Sequence, residues 1–331
     1  MLKARSLLTE TALRTLLVTS GIVGSLLIAE AFLRLGNYSY QPLKIEVMYK
    51  SEWRIKHAFR DRHFVYDPAM IWRPKNGAPP FNSQGYRGRE VALEKGAHES
   101  RILALGDSNT LGWKGLSGPN WPGYLQQLFD ETTANVTVVN AGVYGYTAFQ
   151  GLERFKQALS IKPDVALISF GSNDAHLVTA SDSDFVNRPV RRTIDYVLAH
   201  TKTAQLVHAA VDRFTSNRGE HLVRRVSLAD YSRSLDQMVS LGKSHGIQIV
   251  LLTRPFIGES PNAWWWKNAA PQYNAATIDV GKRNGVLVID VYSYFENRPE
   301  YFVDESHFTE AGHRRMATFI YEQIRPLLVA R

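Results

Sequence analysis

The sequence predicts an α/β sandwich built on a parallel sheet, and three observations support this. Five short apolar runs, Ile102–Leu105, Val136–Val139, Val165–Phe170, Ile247–Leu252 and Val286–Ile289, have the length and unbroken hydrophobicity of strands buried on both faces. Segments of helical length separate them, near 120–131, 147–160, 229–244 and 268–284. A last helix is expected at about 309–328, with Thr309 as its N-cap. Strands alternating with helices in this way form right-handed βαβ units.

Composition permits such a core. The 331 residues are 44% hydrophobic and 21% charged, which excludes a collagen-like, low-complexity or disordered chain. There is no cysteine, so disulfide scaffolds, thiolate metal sites and cysteine nucleophiles are excluded. The net charge of +8 is uneven. Residues 1–100 hold 15 Lys/Arg against 9 Asp/Glu, and residues 188–225 hold 8 against 3, while the remainder is balanced or acidic. A solvated basic face and attraction to an anionic membrane or glycan both fit this pattern. No recognition motif accompanies the charge, so nucleic acid is not an expected partner.

The first element is an N-terminal apolar segment. Thr15–Ala29 carries no charge, and Ala31-Phe32-Leu33 extends it past the single Glu30, behind Lys3, Arg5 and Arg14. Residues 15–33 suffice to span a membrane if Glu30 lies at headgroup level. Ala29-Glu30-Ala31 also has the form of a signal-peptide cleavage site, so cleavage stays open beside the favoured uncleaved anchor. Basic residues on the two flanks are nearly balanced, and an inside N-terminus rests on likeness to signal peptides. The expected organisation is therefore an anchor over 1–34, a proline-rich irregular lead-in over 35–99 packed on the domain, and a catalytic domain over 100–331.

In a parallel sheet the chemistry lies beyond the carboxyl ends of the strands. The first three strands exit into Gly106-Asp107-Ser108-Asn109, Asn140-Ala141-Gly142 and Gly171-Ser172-Asn173-Asp174. Asp304-Glu305-Ser306-His307 follows the fifth. Ser108 at a strand-to-helix turn would expose a hydroxyl that needs an adjacent base to become a nucleophile. His307 can be that base, with Asp304 fixing its tautomer. The N–H groups of Ser108 and Gly142 and the Asn173 side-chain amide are candidate oxyanion donors. Gly142 would let backbone approach the substrate, and Asp107 and Asp174 are expected to support the loops. Each group alone has an ordinary structural reading as a turn, a cap or a surface pair. Four of them in chain order at one rim do not.

These four blocks resemble those of the SGNH, or GDSL-type, hydrolases, over roughly residues 100–331. The resemblance implies a three-layer α/β/α sandwich with a flavodoxin-like five-stranded sheet and metal-free, cofactor-free Ser/His/Asp ester chemistry. Ser108 would be nucleophile and oxyanion donor, Gly142 and Asn173 the other donors, His307 the base and Asp304 its orienter. Asn82-Ser83-Gln84-Gly85-Tyr86-Arg87-Gly88 is similar to the segment before the first block in membrane-anchored bacterial members. That likeness implies a single-pass inner-membrane protein with an extracytoplasmic domain.

Substrate residues are sought among aromatics near the rim: Trp113, Trp121, Tyr144, Tyr146 and Trp264-Trp265-Trp266, with Trp113, Tyr144, Tyr146 and Trp265 foremost. They suit stacking on sugar rings, or packing in a core or lid. With the expected export they suggest an acylated envelope glycan as substrate, deacetylated by an esterase. O-acyl transfer, lipid ester hydrolysis and non-catalytic glycan binding remain alternatives. The insertion 175–228 has helical apolar spacing at Ile194, Val197 and Leu198 and at Val207, Ala210, Val211 and Phe214, read either as a lid or membrane-facing helices or as a surface hairpin. Gly242-Lys243-Ser244 is not a phosphate loop, because Gln237 occupies the required upstream glycine position. The other histidines lack metal-ligand spacing.

Overall fold

The computed structural model describes residues 2–38, 63–112, 120–132, 135–178, 180–187, 201–215, 223–257 and 264–329, with residues 118 and 197. Its centre is a five-stranded sheet of β3 (Ser100–Gly106), β4 (Val136–Asn140), β5 (Val165–Ser169), β8 (Gln248–Leu252) and β9 (Leu287–Ile289). Every pairing is parallel and the spatial order is β4-β3-β5-β8-β9. Numbered by first appearance in the sheet this is 2-1-3-4-5, the doubly wound order expected.

The two-residue period of a strand sends successive side chains to opposite cores. Leu103, Leu105, Ala166, Ile168, Ile249 and Leu251 enter one core, beneath α4 (Ala148–Ala158), α7 (Leu228–Ser244) and α8 (Trp264–Asn284). Ile102, Ala104, Val165, Leu167, Val250 and Leu252 enter the other, beneath α3 (Trp121–Thr132) and α10 (Glu310–Val329). Both faces are covered, so the strands can be apolar throughout. Thr309 caps α10, its Oγ1 accepting from the Gly312 N–H at 3.1 Å. Gly242 lies within α7, where a Cβ would come within 2.4 Å of Ile249 Cδ1, so close packing explains this glycine.

The lead-in is not wholly irregular. A hairpin of β1 (Phe64–Asp67) and β2 (Ile71–Pro74) forms around Pro68. Phe64, Met70, Ile71, Trp72, Phe81 and Tyr86 are buried in the same core as β3. In the 82–88 motif Asn82 Oδ1 accepts the Gln84 and Tyr86 N–H groups, and the Arg87 N–H reaches the Asn140 carbonyl at the end of β4. Residues 39–62 lie outside the described residues.

The N-terminal helix α1 (Leu2–Leu35) contains one 26-residue stretch, Glu10–Leu35, long and apolar enough to cross a membrane. Leu16, Leu17, Ile22, Leu26, Leu27 and Phe32 are all exposed around it. Its charged ends are self-paired, Glu10 with Arg14 at 2.6 Å and Glu30 with Arg34 at 2.7 Å. In the insertion, a two-stranded ribbon joins β6 (Leu177–Val178) to β7 (Val223–Arg224). Between them lie α5 (Asp182–Asn187) and α6 (Lys202–Thr215). Ile194 and Leu198 fall outside the described residues.

His313, on α10, is buried against the ring of Phe308, and its Nδ1 has no hydrogen-bond partner among the described residues. Burial, with Arg87 and His307 nearby, pushes it down to about 4. The unfolded chain takes up this proton near pH 6.5 and the folded chain does not, so His313 makes stability fall as pH drops from 6.5 to about 4. The full loss is about 3 kcal/mol at about 1.4 kcal/mol per pH unit. Asp174, which burial raises to about 7, acts with the opposite sign. Comparing unfolding midpoints of wild type and His313→Leu across that window isolates the histidine: the variant should lose less stability on acidification.

Candidate active site

The strand order reverses direction at β3 and β5, which opens a crevice at their carboxyl ends. Ser108 starts the one-turn helix α2 (Ser108–Leu111) directly after β3. Asp107 is the N-cap, its Oδ1 accepting the Asn109 N–H at 2.9 Å. The turn stops at Gly112, whose φ of 85° lets its N–H return to the Ser108 carbonyl at 2.8 Å. The Ser108 hydroxyl therefore points from a short, doubly capped helix whose first N–H has no acceptor a turn earlier.

His307 reaches it from the other end of the chain. Segment 302–308 is closed by a bridge between Phe302 and Phe308 and by the Val303 N–H on the His307 carbonyl at 2.9 Å. Asp304 Oδ1 accepts the backbone N–H groups of Ser306 and His307 at 3.1 and 2.8 Å, which turns its carboxylate toward the imidazole. His307 Nδ1 lies 2.9 and 3.0 Å from its two oxygens. An ionised carboxylate only accepts, so the proton is assigned to Nδ1 and the Nε2 lone pair faces Ser108 Oγ at 2.8 Å. This arrangement can take the hydroxyl proton and return it to a leaving group.

The expected oxyanion donors are near but not all open. The Gly142 N–H donates to Asn140 Oδ1 at 3.0 Å. Asn173 Nδ2 donates to the Tyr146 carbonyl at 3.0 Å and lies 3.5 Å from Asp107 Oδ2, so one hydrogen is anchored and the other only loosely held. Glycine at 142 has a packing cause beside the expected one. A Cβ there would sit 2.3 Å from the Leu111 nitrogen, so the missing side chain also lets α2 pack on β4's exit.

The aromatic expectations divide. Tyr146 is fully buried and its hydroxyl donates to the Trp72 carbonyl at 2.7 Å, so its ring is a packing element and not a substrate contact. Trp121 is likewise buried, in the core between α3 and α10. Tyr144 remains half-buried at the rim. Burial raises its phenol, and the Asp304 carboxylate is close enough to raise it further against the lowering effect of Arg225. Trp113 lies outside the described residues. Trp264, Trp265 and Trp266 belong to the start of α8 and not to a loop, and their side chains are likewise not described.

Several site residues escape a reading of the motifs. Arg254, two residues after β8, is buried with its Nε 3.0 Å from Asp107 Oδ2. Its backbone is clamped by Asn274, which accepts the Arg254 N–H at 2.7 Å and donates to its carbonyl at 3.0 Å. Asn109 Nδ2 donates to the Ser306 carbonyl at 2.8 Å, and Arg254 Nη1 lies 3.4 Å from the same oxygen. Arg87 brings the lead-in to the nucleophile helix by donating to the carbonyls of Leu111, Gly112 and Gly118. The usable signal is a charged residue at the exit of the fourth strand. Among the described residues no group of three or more His, Asp or Glu could hold a metal.

Asp107 is 1% and Arg254 3% exposed, so removing one partner strands a buried charge. Arg254→Met should lower unfolding free energy by about 3–5 kcal/mol. Adding Asp107→Asn, which keeps a capping oxygen, should recover part of that loss in a double-mutant cycle followed by denaturant unfolding.

Comparison with known proteins gives the family. The model of the GDSL-like lipase/acylhydrolase family matches residues 104–315. An arylesterase of Vibrio mimicus is 37% identical over 75 residues, and the match spans 22% of this chain and 38% of the arylesterase. The uncharacterized lipoprotein YqeF of Bacillus subtilis (strain 168) is 24% identical over 59% of this chain and 71% of its own. Among solved structures, a lipase/acylhydrolase from Enterococcus faecalis aligns with TM-score 0.49 at 21% identity, covering 69% of this chain and 96% of its own. Axe2, an acetylxylan esterase from Geobacillus stearothermophilus, aligns with TM-score 0.48 at 19% identity, covering 70% and 95%. The family model takes in nearly two thirds of the residues, including Ser108, Asp304 and His307, and the chain belongs to the GDSL-like lipase/acylhydrolase family of carboxylic ester hydrolases.

Proposed function

We propose that this chain is a membrane-anchored serine esterase that removes an acyl group, acetyl foremost, from a cell-envelope carbohydrate. The observation that carries the catalytic part is the continuous hydrogen-bond line from Ser108 Oγ through His307 to Asp304. Ser108 Oγ attacks the ester carbonyl carbon as His307 Nε2 takes its proton, and the carbonyl electrons move onto oxygen. The Ser108 N–H and the looser Asn173 hydrogen receive that oxyanion, and Gly142 joins them once its N–H leaves Asn140. Collapse breaks the bond to the alcohol oxygen, which leaves with the proton from His307. Water then repeats the sequence on the acyl-Ser108 ester and releases the acid. The arylesterase relative supports ester substrates in general.

The carbohydrate part rests on Tyr144 beside Asp304 and on Trp113 and Trp265, which precede and follow it in the chain. The anchored part rests on α1, whose exposed apolar surface suits lipid. On this reading residues 100–331 are the catalytic domain, residues 35–99 its lead-in, and the domain faces the extracytoplasmic side of a bacterial inner membrane.

Ser108→Ala in the detergent-solubilised full chain should abolish fluorophosphonate labelling and lower p-nitrophenyl acetate turnover by at least about 10³-fold with the unfolding midpoint retained. Unchanged turnover would remove Ser108 from the mechanism. For the substrate, O-acetylated glycans should release free acetate with wild type and not with the variant. Acetate recovered only on an added sugar acceptor would assign acyl transfer instead. Turnover of p-nitrophenyl acetate with no reaction on any glycan would sink the carbohydrate assignment.

A further inference from the structure

We infer that α6 (Lys202–Thr215) is a bilayer-facing helix that Glu30 latches to the membrane anchor, so that the catalytic domain is held at the lipid surface in one orientation. The inference rests on the anchored reading of α1 and adds to it a second, peripheral contact with lipid.

The single acid within the apolar run is otherwise hard to account for. Glu30 Oε1 accepts from Arg34, and Oε2 accepts the Thr203 backbone N–H at 2.8 Å and the Thr203 hydroxyl at 3.0 Å. An N–H in the first turn of α6 has no intrahelical acceptor, so a carboxylate from another helix caps it. The stretch Glu10–Leu35 places Glu30 about 11 Å from its midpoint at about 1.5 Å per residue, near the edge of a hydrocarbon layer of roughly 15 Å half-thickness. The start of α6 therefore lies at the depth of the headgroup boundary.

The rest of α6 follows from its periodicity. Thr203, Leu206, Val207, Ala210 and Val211 recur at i, i+3, i+4, i+7 and i+8, the spacing of a helix face made to be covered. The described residues leave it exposed. Leu206, Val207 and Val211 are 46%, 64% and 51% exposed, whereas Gln205 on the opposite face is buried at 1%. The apolar face thus begins at the residue that grips the anchor and continues from that contact outward. Lipid at the hydrocarbon boundary is the occupant that fits a face continuous with a membrane span. The surrounding segment 188–225 has eight Lys/Arg to three Asp/Glu, of which Arg225 is committed to Asp182 inside the domain, and the remaining surplus suits anionic headgroups.

The cysteine-free chain makes the test clean. Full-length Val207→Cys and, as a control on α7, Gln237→Cys are labelled with an environment-sensitive fluorophore and reconstituted in phosphatidylcholine/phosphatidylglycerol vesicles. Retained p-nitrophenyl acetate turnover checks that both are folded. Brominated lipid should quench the label at 207 at least about twofold more than at 237, with a blue-shifted emission only at 207. Adding Glu30→Ala should reduce that difference. An intact N-terminus, retention in carbonate-washed membranes and a water-exposed label at 207 would overturn the inference while leaving the anchor standing. A mature chain starting near Phe32 would overturn both. Cross-linking of Val207→Cys to a second copy, with no quenching by lipid, would give the face to a dimer and overturn the bilayer assignment.

Discussion

The Ser108–His307 contact holds because the backbone beside the imidazole is gripped from the nucleophile's own turn. A hydroxyl and an imidazole 199 residues apart cannot stay at 2.8 Å through their mutual hydrogen bond alone, since one such bond contributes about 1 kcal/mol net. The Ser306 carbonyl supplies the missing constraint, taking Asn109 Nδ2 from the residue after the nucleophile. Asp304 then orients the ring by holding two backbone N–H groups and the imidazole with one carboxylate. The histidine loop is thus pinned at its carbonyl, its backbone N–H and its side chain, and Ser108 is pinned by a capped turn.

Asp107 is the second junction of the same lattice. One oxygen caps the nucleophile turn, and the other meets Arg254 and the Asn173 amide. Exits of the first, third and fourth strands of the sheet therefore converge on one buried carboxylate. A charge so placed is tolerable only with a full complement of donors, and the guanidinium supplies the strongest of them. Gly142 brings in the remaining exit by a different means, contact instead of charge: its missing Cβ lets β4's exit lie against the Thr110–Leu111 peptide. Electrostatic and steric constraints together fix the four groups proposed to carry the chemistry.

Much of this was legible in the sequence, for physical reasons that also mark the limit. Unbroken apolar strands and strand-helix alternation reported the sheet, because a sheet covered on both faces leaves no polar positions. The four polar exits reported the site, because polar residues at the ends of buried strands have nowhere else to go. Contacts between exits were not legible. A charged residue at the exit of the fourth strand marks Arg254, but nothing local names Asp107 as its partner until β8 places it there. Aromatic residues mislead for the same reason: Tyr144 and Tyr146 are two apart in one loop, yet one lies at the rim and the other beneath the lead-in hairpin, hydrogen-bonded to Trp72. The short β1–β2 hairpin was hidden by the prolines around it, although Pro68 sits in its turn, where a missing N–H costs nothing.

The lead-in then has a role that its composition does not suggest. Arg87 ends a loop organised by Asn82, continues the edge of β4 through the Asn140 carbonyl, and sends its guanidinium to three carbonyls at and beyond the end of the nucleophile helix. The Leu111 carbonyl is one of the orphan acceptors every helix leaves at its C-terminus and Gly112 is its cap, and in a one-turn helix such groups are a large share of the backbone. A helix so short has almost no stability of its own. Its geometry is borrowed from Asp107 at one end and Arg87 at the other, so residues 63–99 of the lead-in help define the position of the proposed nucleophile.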